Sequence, residues 1–160
     1  MAWIFKTIEF KLRAINSLQP FVNLGVRFWI ANIFLKSAIL KLPAGFLGFG
    51  KGNWNSTLYL FREEHPVPLL SPEIAAFIGT SFELICPILL ILGLGTRSAA
   101  AILLLMTAFI EITYFQATDH LHWMILCAFL ICYGGGKFSL DYTIRKKSLA
   151  CDKYRKMAGI

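Results

Sequence analysis

Charged side chains interrupt the apolar stretches of this chain at places where a charge is energetically costly. Arg27 and Lys36 lie inside the first apolar stretch, Glu83 inside the second and Glu111 inside the third. Ionisable groups in apolar surroundings pair with one another or face a polar cavity, where they bind protons, ions or polar ligands. These four residues are therefore the first candidates for chemistry.

Helix geometry groups these charges at two levels. At about 1.5 Å per residue, Arg27 lies within side-chain reach of Glu83, and Lys36 lies at the level of Glu111. Arg27 and Lys36 are nine residues apart and lie on opposite faces of their helix, whereas Lys41 shares the face of Arg27. We expect an Arg27–Glu83 pair and a Lys36–Glu111 pair. Each pair either forms part of a site or only holds the helices in register.

Four further candidates lie at the ends of the apolar stretches. Lys41 comes near the end of the first stretch and is placed close to Glu73, at the start of the second. Arg97 lies in the short turn before the third stretch. His122 precedes a tryptophan at the start of the fourth, a combination typical of the aromatic belt at a membrane surface. The sequence assigns no catalytic residue.

The second apolar stretch contains a polar segment around Glu83, which could form part of a ligand pocket. Pro87 removes the helical hydrogen bond to the carbonyl of Glu83 and leaves this oxygen free beside a carboxylate. A pocket lined by Arg27, Glu83 and Trp29 would suit a quinone or another small molecule, and a quinone is the only cofactor candidate. The chain has no C-x-x-C pair, and we interpret its four cysteines as structural thiols: Cys86, Cys127, Cys132 and Cys151. No metal site is expected.

The elements that position these residues are four apolar stretches, at about residues 21–42, 72–95, 98–116 and 120–136. About 20 apolar residues cross the hydrocarbon core of a bilayer as a helix. Apolar residues make up 57% of the chain and charged residues 16%, against about 45–50% and 25% in soluble domains. This composition excludes a soluble enzyme, a disordered tail and a small secreted scaffold. It predicts an all-α integral membrane four-helix bundle.

The basic residues predict how this bundle is oriented. The first 20 residues contain three, the segment after Gly136 contains seven, and residues 117–120 contain none. The positive-inside rule then places both termini in the cytoplasm. Residues 1–142 form the membrane domain and 143–160 a basic cytoplasmic tail. Because aromatic and basic residues do not interleave, nucleic acid is not an expected partner. The lipid bilayer is one, and a partner subunit or a homo-oligomer is a further candidate.

The segment before the first stretch has its own pattern. Ile4, Ile8, Leu12 and Ile15 recur at helical spacing, and the basic residues lie off this stripe. The pattern is typical of an amphipathic helix lying in the membrane interface.

An ordered series of short motifs resembles the DoxX family of small four-span bacterial inner-membrane proteins. The series comprises Arg27, Lys41-Leu42, the run from Leu60 to Glu64, Val67-Pro68, Ser71-Pro72-Glu73, Glu83, Pro87, Gly93-Leu94-Gly95-Thr96-Arg97, Met106-Thr107, His122-Trp123, Gly134-Gly135-Gly136 and Ser139-Leu140-Asp141. Glu111 departs from the family pattern, which often has an uncharged polar residue there.

The resemblance implies a four-helix membrane bundle and indicates function only broadly. The family includes a subunit of a thiosulfate:quinone oxidoreductase and proteins connected with thiol and oxidative-stress balance. The first hypothesis is a membrane subunit or accessory of a redox or thiol-handling system, with a quinone or small-molecule pocket. The second is a non-catalytic anchor or assembly factor, and the third is a small transporter or proton path through Glu83 and Glu111. Any enzymatic activity would belong to a quinone-linked oxidoreductase of which this chain is one subunit.

Overall fold

The computed structural model describes the backbone of residues 2–64, 67–68, 70–113 and 118–158, and the side chains of residues 16–64, 67–68, 70–112 and 119–149. Its regular secondary structure is helical throughout this part, which confirms the all-α prediction. The α-helices are α1 (Ala2–Lys41), α2 (Trp54–Tyr59), α3 (Pro72–Leu92), α4 (Thr96–Thr113), α5 (Thr118–Tyr133) and α6 (Leu140–Ala158).

Helix α1 is longer than the first apolar stretch and runs without interruption through Pro20. The N-terminal segment is therefore helical, but it is continuous with the apolar part of α1 and is not a separate element. The stripe of Ile4, Ile8, Leu12 and Ile15 lies outside the described side chains. Its position at a membrane interface stays a prediction.

Helix α3 begins and ends at the residues whose chemistry favours those boundaries. The Ser71 hydroxyl accepts a hydrogen bond from the backbone N–H of Ile74, and Pro72 occupies the first turn. At the other end Gly93 adopts a left-handed conformation with φ 69°. The Leu94 N–H then bonds back to the carbonyl of Leu89, which completes a Schellman motif.

Four of these helices surround one hydrophobic core. Helix α1 packs against α3 and α5, and α4 packs against the same two neighbours. The fully buried side chains between them include Ile30, Leu90, Leu103, Cys127 and Leu130. Pairwise packing of this kind closes a ring of helices, and side chains that point inward meet along its axis.

A short helical segment covers one end of this ring, here called the α2 end. Asn53 caps α2 by accepting a hydrogen bond from the N–H of Asn55, as its side chain predicts. A π-helical turn, Leu60–Glu64, follows. Its Phe61 ring lies against Gly79 of α3, where even a Cβ atom would come within 3.0 Å of the ring. The segment is thereby held close to α3.

One helix in the described part of the chain, α3, has the length and apolar composition to cross a bilayer, and α5 is apolar but shorter. Helix α4 has 18 residues and α5 has 16, slightly below the usual length of about 20. Helix α1 is long enough, but Arg27 and Lys36 interrupt its apolar part. The sequence predicts four membrane-spanning helices, and α3 is the one described helix that has both the length and the composition of a span.

Candidate functional site

Arg27 connects three parts of the structure at the end of the ring opposite α2, here called the Gly-rich end because turns 93–96 and 134–139 lie there. Its guanidinium is buried. Nε and Nη2 donate hydrogen bonds to the carbonyls of Leu90 and Ile91, each at 2.7 Å. Nη1 donates to the carbonyls of Gly135 and Phe138 at 3.0 and 2.8 Å. A cation on the last carbonyls of α3 also complements the negative end of the helix dipole.

The polar residues of these turns hold the same end together. The Asp141 carboxylate accepts hydrogen bonds from the backbone N–H groups of Gly95 and Thr96, at 2.8 and 2.9 Å, and so caps the start of α4. The Ser139 hydroxyl donates to the carbonyl of Gly136 and accepts from the N–H of Tyr142. Every one of these contacts satisfies backbone groups, which is a structural role.

The predicted Arg27–Glu83 pair is wrong, because each side chain is bonded elsewhere. The rise per residue gives the depths of the Cα atoms alone. Side chains in an α-helix lean toward the helix N-terminus, so their charged groups lie at other depths. Arg27 therefore reaches toward the Gly-rich end. Since α3 runs antiparallel to α1, Glu83 leans the opposite way, toward the α2 end, and the two charges separate.

The same tilt brings Lys41 to Glu83. Lys41 Nζ lies 2.6 Å from Glu83 Oε1, and the Ser37 hydroxyl donates a 3.1 Å hydrogen bond to Oε2. The side chain of Glu83 is 6% exposed and that of Lys41 is 19% exposed. Lys41 thus pairs with Glu83. The predicted proximity of Lys41 to Glu73 is wrong. The ion pair is partly buried and lies at mid-length of α3.

The Lys41–Glu83 pair lies in the wall of a cavity of about 620 Å³, here called the central cavity. Its volume falls within the range of about 300–1,000 Å³ that is usual for small-molecule sites. The polar lining residues are Ser37, Lys41, Glu64, Glu83, Thr107 and His120, and the apolar ones are Ile33, Phe34, Ile110 and Trp123.

A second ionisable pair stands beside the central cavity. Glu111 Oε2 lies 2.8 Å from His120 Nδ1, and both side chains are about 85% buried. The His120 ring also packs on Trp123, whose indole meets Phe34 edge-on across the cavity wall. The predicted Lys36–Glu111 pair is therefore wrong. Lys36 is exposed, because it lies on the face of α1 that points away from the ring.

An apolar groove of about 410 Å³ adjoins the central cavity, and the two share Lys41, Glu83 and Ile110. Its other lining residues come from the Phe61 turn, the following connection, α3 and α4. They are Leu60, Phe61, Val67, Leu70, Ala75, Ile78, Gly79, Phe82, Met106 and Phe109. The ion pair therefore stands between a polar space and an apolar one.

The remaining sequence candidates lie apart from this site. Glu73 is exposed at the start of α3, with Arg62 Nη2 at 3.4 Å. Arg97 is exposed at the Gly-rich end and donates to the carbonyl of Cys132 at 3.3 Å. His122 is exposed on α5, and Trp29 is 64% exposed, so neither lines the central cavity. No group of three metal-ligating side chains occurs among the residues that the structure describes.

The central cavity also contains three residues that the sequence did not predict for a site: Ser37, Thr107 and His120. Two of them have a detectable signal in their spacing along the sequence. Ser37 precedes Lys41 by four residues and therefore shares its helix face. Glu111 and His120 are placed symmetrically about the connection between α4 and α5, which predicts the same level in a helical hairpin. Thr107 donates to the carbonyl of Leu103 within its own helix, and its mark in the sequence is its place in the Met106-Thr107 motif.

The outer surfaces of the helices are rich in apolar side chains. Large apolar side chains point outward along α3, α4 and α5, including Phe77, Leu105, Ile112 and Ile125, each more than 60% exposed. Extended apolar surface of this kind marks contact with hydrocarbon or another apolar partner. Ionisable groups inside and apolar groups outside are typical of a helical membrane protein.

Comparison with known proteins identifies the family. The DoxX family model matches residues 22–116, more than half of the chain, and the chain belongs to this family. Membership agrees with the resemblance found in the sequence motifs. No curated protein and no solved structure matches the chain significantly.

Proposed function

We propose that this protein binds a quinone-like amphiphile at the Lys41–Glu83 pair and serves as a membrane subunit or accessory of a redox system. The observation that carries the proposal is the junction of the polar central cavity with the apolar groove at this pair. A ligand with a polar ring and a long apolar tail needs two such compartments side by side.

The central cavity offers the hydrogen-bond donors that a quinone ring requires. A quinone has two carbonyl oxygens on opposite sides of its ring, and both accept hydrogen bonds. Lys41 Nζ has hydrogen atoms beyond the one directed at Glu83 and can donate them from α1. The hydroxyls of Ser37 and Thr107 donate to Glu83 and to the carbonyl of Leu103, and either could donate to a ligand by turning from its present acceptor. Trp123 and Phe34 supply flat apolar surface for the ring. A bound quinone would supply two-electron redox chemistry, and these residues would hold and orient it.

The apolar groove fits the tail of such a ligand. Its walls are aliphatic and aromatic side chains of α3 and α4 and of the Phe61 turn, and charged groups occur only where it meets the central cavity. Lys41 Nζ lies 6.0 Å from the centre of the Phe61 ring, so this turn reaches the point where ring and tail would join. An isoprenoid chain could leave the cavity here toward the bilayer.

The proposal includes the arrangement of the protein in the membrane. We place helices α1, α3, α4 and α5 across a bacterial inner membrane, with the Gly-rich end and both termini in the cytoplasm and the α2 end in the periplasm. The excess of basic residues in both terminal segments supports this orientation. The quinone site would then lie in the periplasmic half of the membrane.

Quinone binding by purified variants tests the proposal. The protein is purified in neutral detergent, and the extracted quinone is measured, together with the shift in melting temperature on adding a short-chain quinone. Lys41→Met removes a charged donor and should weaken binding by about tenfold or more. Lys36→Met removes the same charge from an exposed position of the same helix and serves as the matched control.

The outcomes separate the candidate functions. Quinone retention by the wild type and by Lys36→Met, together with its loss in Lys41→Met, would support the proposal. A protein that retains no quinone and shows no quinone-dependent shift in melting temperature would refute it and favour a non-catalytic anchor. Equal losses in both lysine variants would show that the central cavity is not the site.

A further inference from the structure

A second cavity, of about 440 Å³, opens at the Gly-rich end, away from the quinone site. It lies between the α1 segment around Pro20, the start of α4, the Gly134–Gly135–Gly136 turn and the first turns of α6. Arg27 does not line this cavity, and its guanidinium donates to backbone carbonyls, so the polar side chains around the cavity are not the groups that bind Arg27.

Charge is unevenly distributed around this cavity. Arg97, Lys137 and Arg145 line it, each exposed and each from a different segment of the chain. One carboxylate, Asp141, also lines it, but its oxygens accept hydrogen bonds from the backbone N–H groups that start α4. Three cations against one occupied carboxylate leave an excess of positive charge, which favours an anionic ligand.

A buried polar atom points to a ligand with hydroxyl groups as well. The side chain of Asn23 lines the cavity and is 1% exposed, and its Oδ1 has no hydrogen-bond partner in the part of the chain that the structure describes. An acceptor buried without a donor has lost its hydrogen bonds to water and gained none in return, which is unfavourable. A ligand hydroxyl could supply the missing donor once the Asn23 side chain turns toward the cavity, since Oδ1 is itself buried. Three residues that carry hydroxyl groups line the same space: Ser98, Tyr133 and Tyr142.

We propose that this cavity binds a phosphate ester that carries hydroxyl groups, held by Arg97, Lys137 and Arg145. Arginine and lysine are the usual ligands of phosphate oxygens, and basic pockets between membrane helices bind anionic lipid head groups. Phosphatidylglycerol combines a phosphodiester with free hydroxyls. Phe21 and Phe138, whose exposed rings lie 5.4 Å apart, are the chain neighbours of the lining residues Pro20 and Lys137, and they offer apolar surface for its acyl chains. A soluble ester such as glycerol phosphate has the same head-group chemistry.

Native mass spectrometry and thermal melting in a neutral detergent test this site. Phosphatidylglycerol, phosphatidylcholine with the same acyl chains, and glycerol phosphate are added separately. We expect phosphatidylglycerol to form a one-to-one complex and to raise the melting temperature more than phosphatidylcholine does. Arg97→Gln and Arg145→Gln should each weaken this binding by about tenfold or more, since each removes charge-assisted hydrogen bonds.

Lys146→Gln is the matched control, because Lys146 follows Arg145 on the same helix, is exposed and does not line the cavity. Arg145 is itself exposed, so Arg145→Gln should fold even if Arg97→Gln does not. An equal rise in melting temperature with glycerol phosphate, sensitive to the same variants, would confirm the phosphate-ester site and assign it a soluble ligand. Equal effects of Arg145→Gln and Lys146→Gln, or no difference between the two lipids and no response to glycerol phosphate, would overturn the proposal.

Discussion

The Lys41–Glu83 pair can be tested for its contribution to stability by a double-mutant cycle. Lys41→Met removes the ammonium and keeps the length of the side chain, and Glu83→Gln removes the charge and keeps the shape. In Lys41→Met a carboxylate that is 6% exposed retains only the hydrogen bond from Ser37. In Glu83→Gln the ammonium, which is 19% exposed, can still donate to an amide oxygen or turn toward water.

These environments determine the size of each effect. Breaking a buried ion pair by removing one partner costs about 3–5 kcal/mol. We expect about 3 kcal/mol for Lys41→Met, since a stranded carboxylate can take up a proton, and about 2 kcal/mol for Glu83→Gln, since its partner is more exposed. The double variant strands no charge, so its loss should be smaller than the sum by at least about 2 kcal/mol.

The assay is thermal unfolding in detergent. For a chain of this size, 1 kcal/mol corresponds to about 2–4 °C in melting temperature, so Lys41→Met should melt about 6–12 °C below the wild type. The control cycle combines Glu83→Gln with Arg27→Lys. These residues do not contact each other, and their effects should add within about 0.5 kcal/mol. Additive effects for Lys41 and Glu83, or strong coupling between Arg27 and Glu83, would refute the assignment of partners.

Three other predictions concern the Gly-rich end and the orientation. Gly93→Ala should lower the melting temperature far more than Gly95→Ala: both glycines have positive φ (69° and 58°), but only a Cβ at Gly93 meets neighbouring side-chain atoms at 2.6 Å. Arg27→Lys keeps the charge but loses the planar fork that serves four carbonyls, so thermal unfolding should show a loss of about 3 kcal/mol or more. In a variant without native cysteines, Lys51→Cys should react with an impermeant maleimide from the periplasm of intact cells, whereas Ser148→Cys should not.

Each of these three predictions has a result that would contradict it. Equal losses for the two glycine variants would show that close packing at Gly93 is unimportant. Full stability of Arg27→Lys would mean that the charge alone matters and the geometry of the fork does not. The reverse labelling pattern would invert the proposed orientation.

Much of the local structure was predictable because it depends on neighbouring residues. Ser71 and Pro72 start α3, and Asn53 starts α2, since a capping side chain acts on N–H groups two or three positions away. Family membership was predictable for a related reason: the order of short motifs along the chain is itself a property of the sequence. The role of those motifs was not evident, because Arg27 and Asp141 act on backbone groups that are distant in the chain.

The sequence was sufficient to show which charges interrupt the apolar stretches, that the fold is helical, and that Lys41 shares the helix face of Arg27. Which of these charges are buried, and which of them meet, depends on how the helices pack. A count along the helix axis locates Cα atoms, but Lys41 and Glu83 reach each other through side chains that lean in opposite directions on antiparallel helices. Glu111 likewise meets His120 and does not meet Lys36, because rotation about the axis of α1 points Lys36 outward. Partners depend on direction as well as depth, and direction is set when the helices pack.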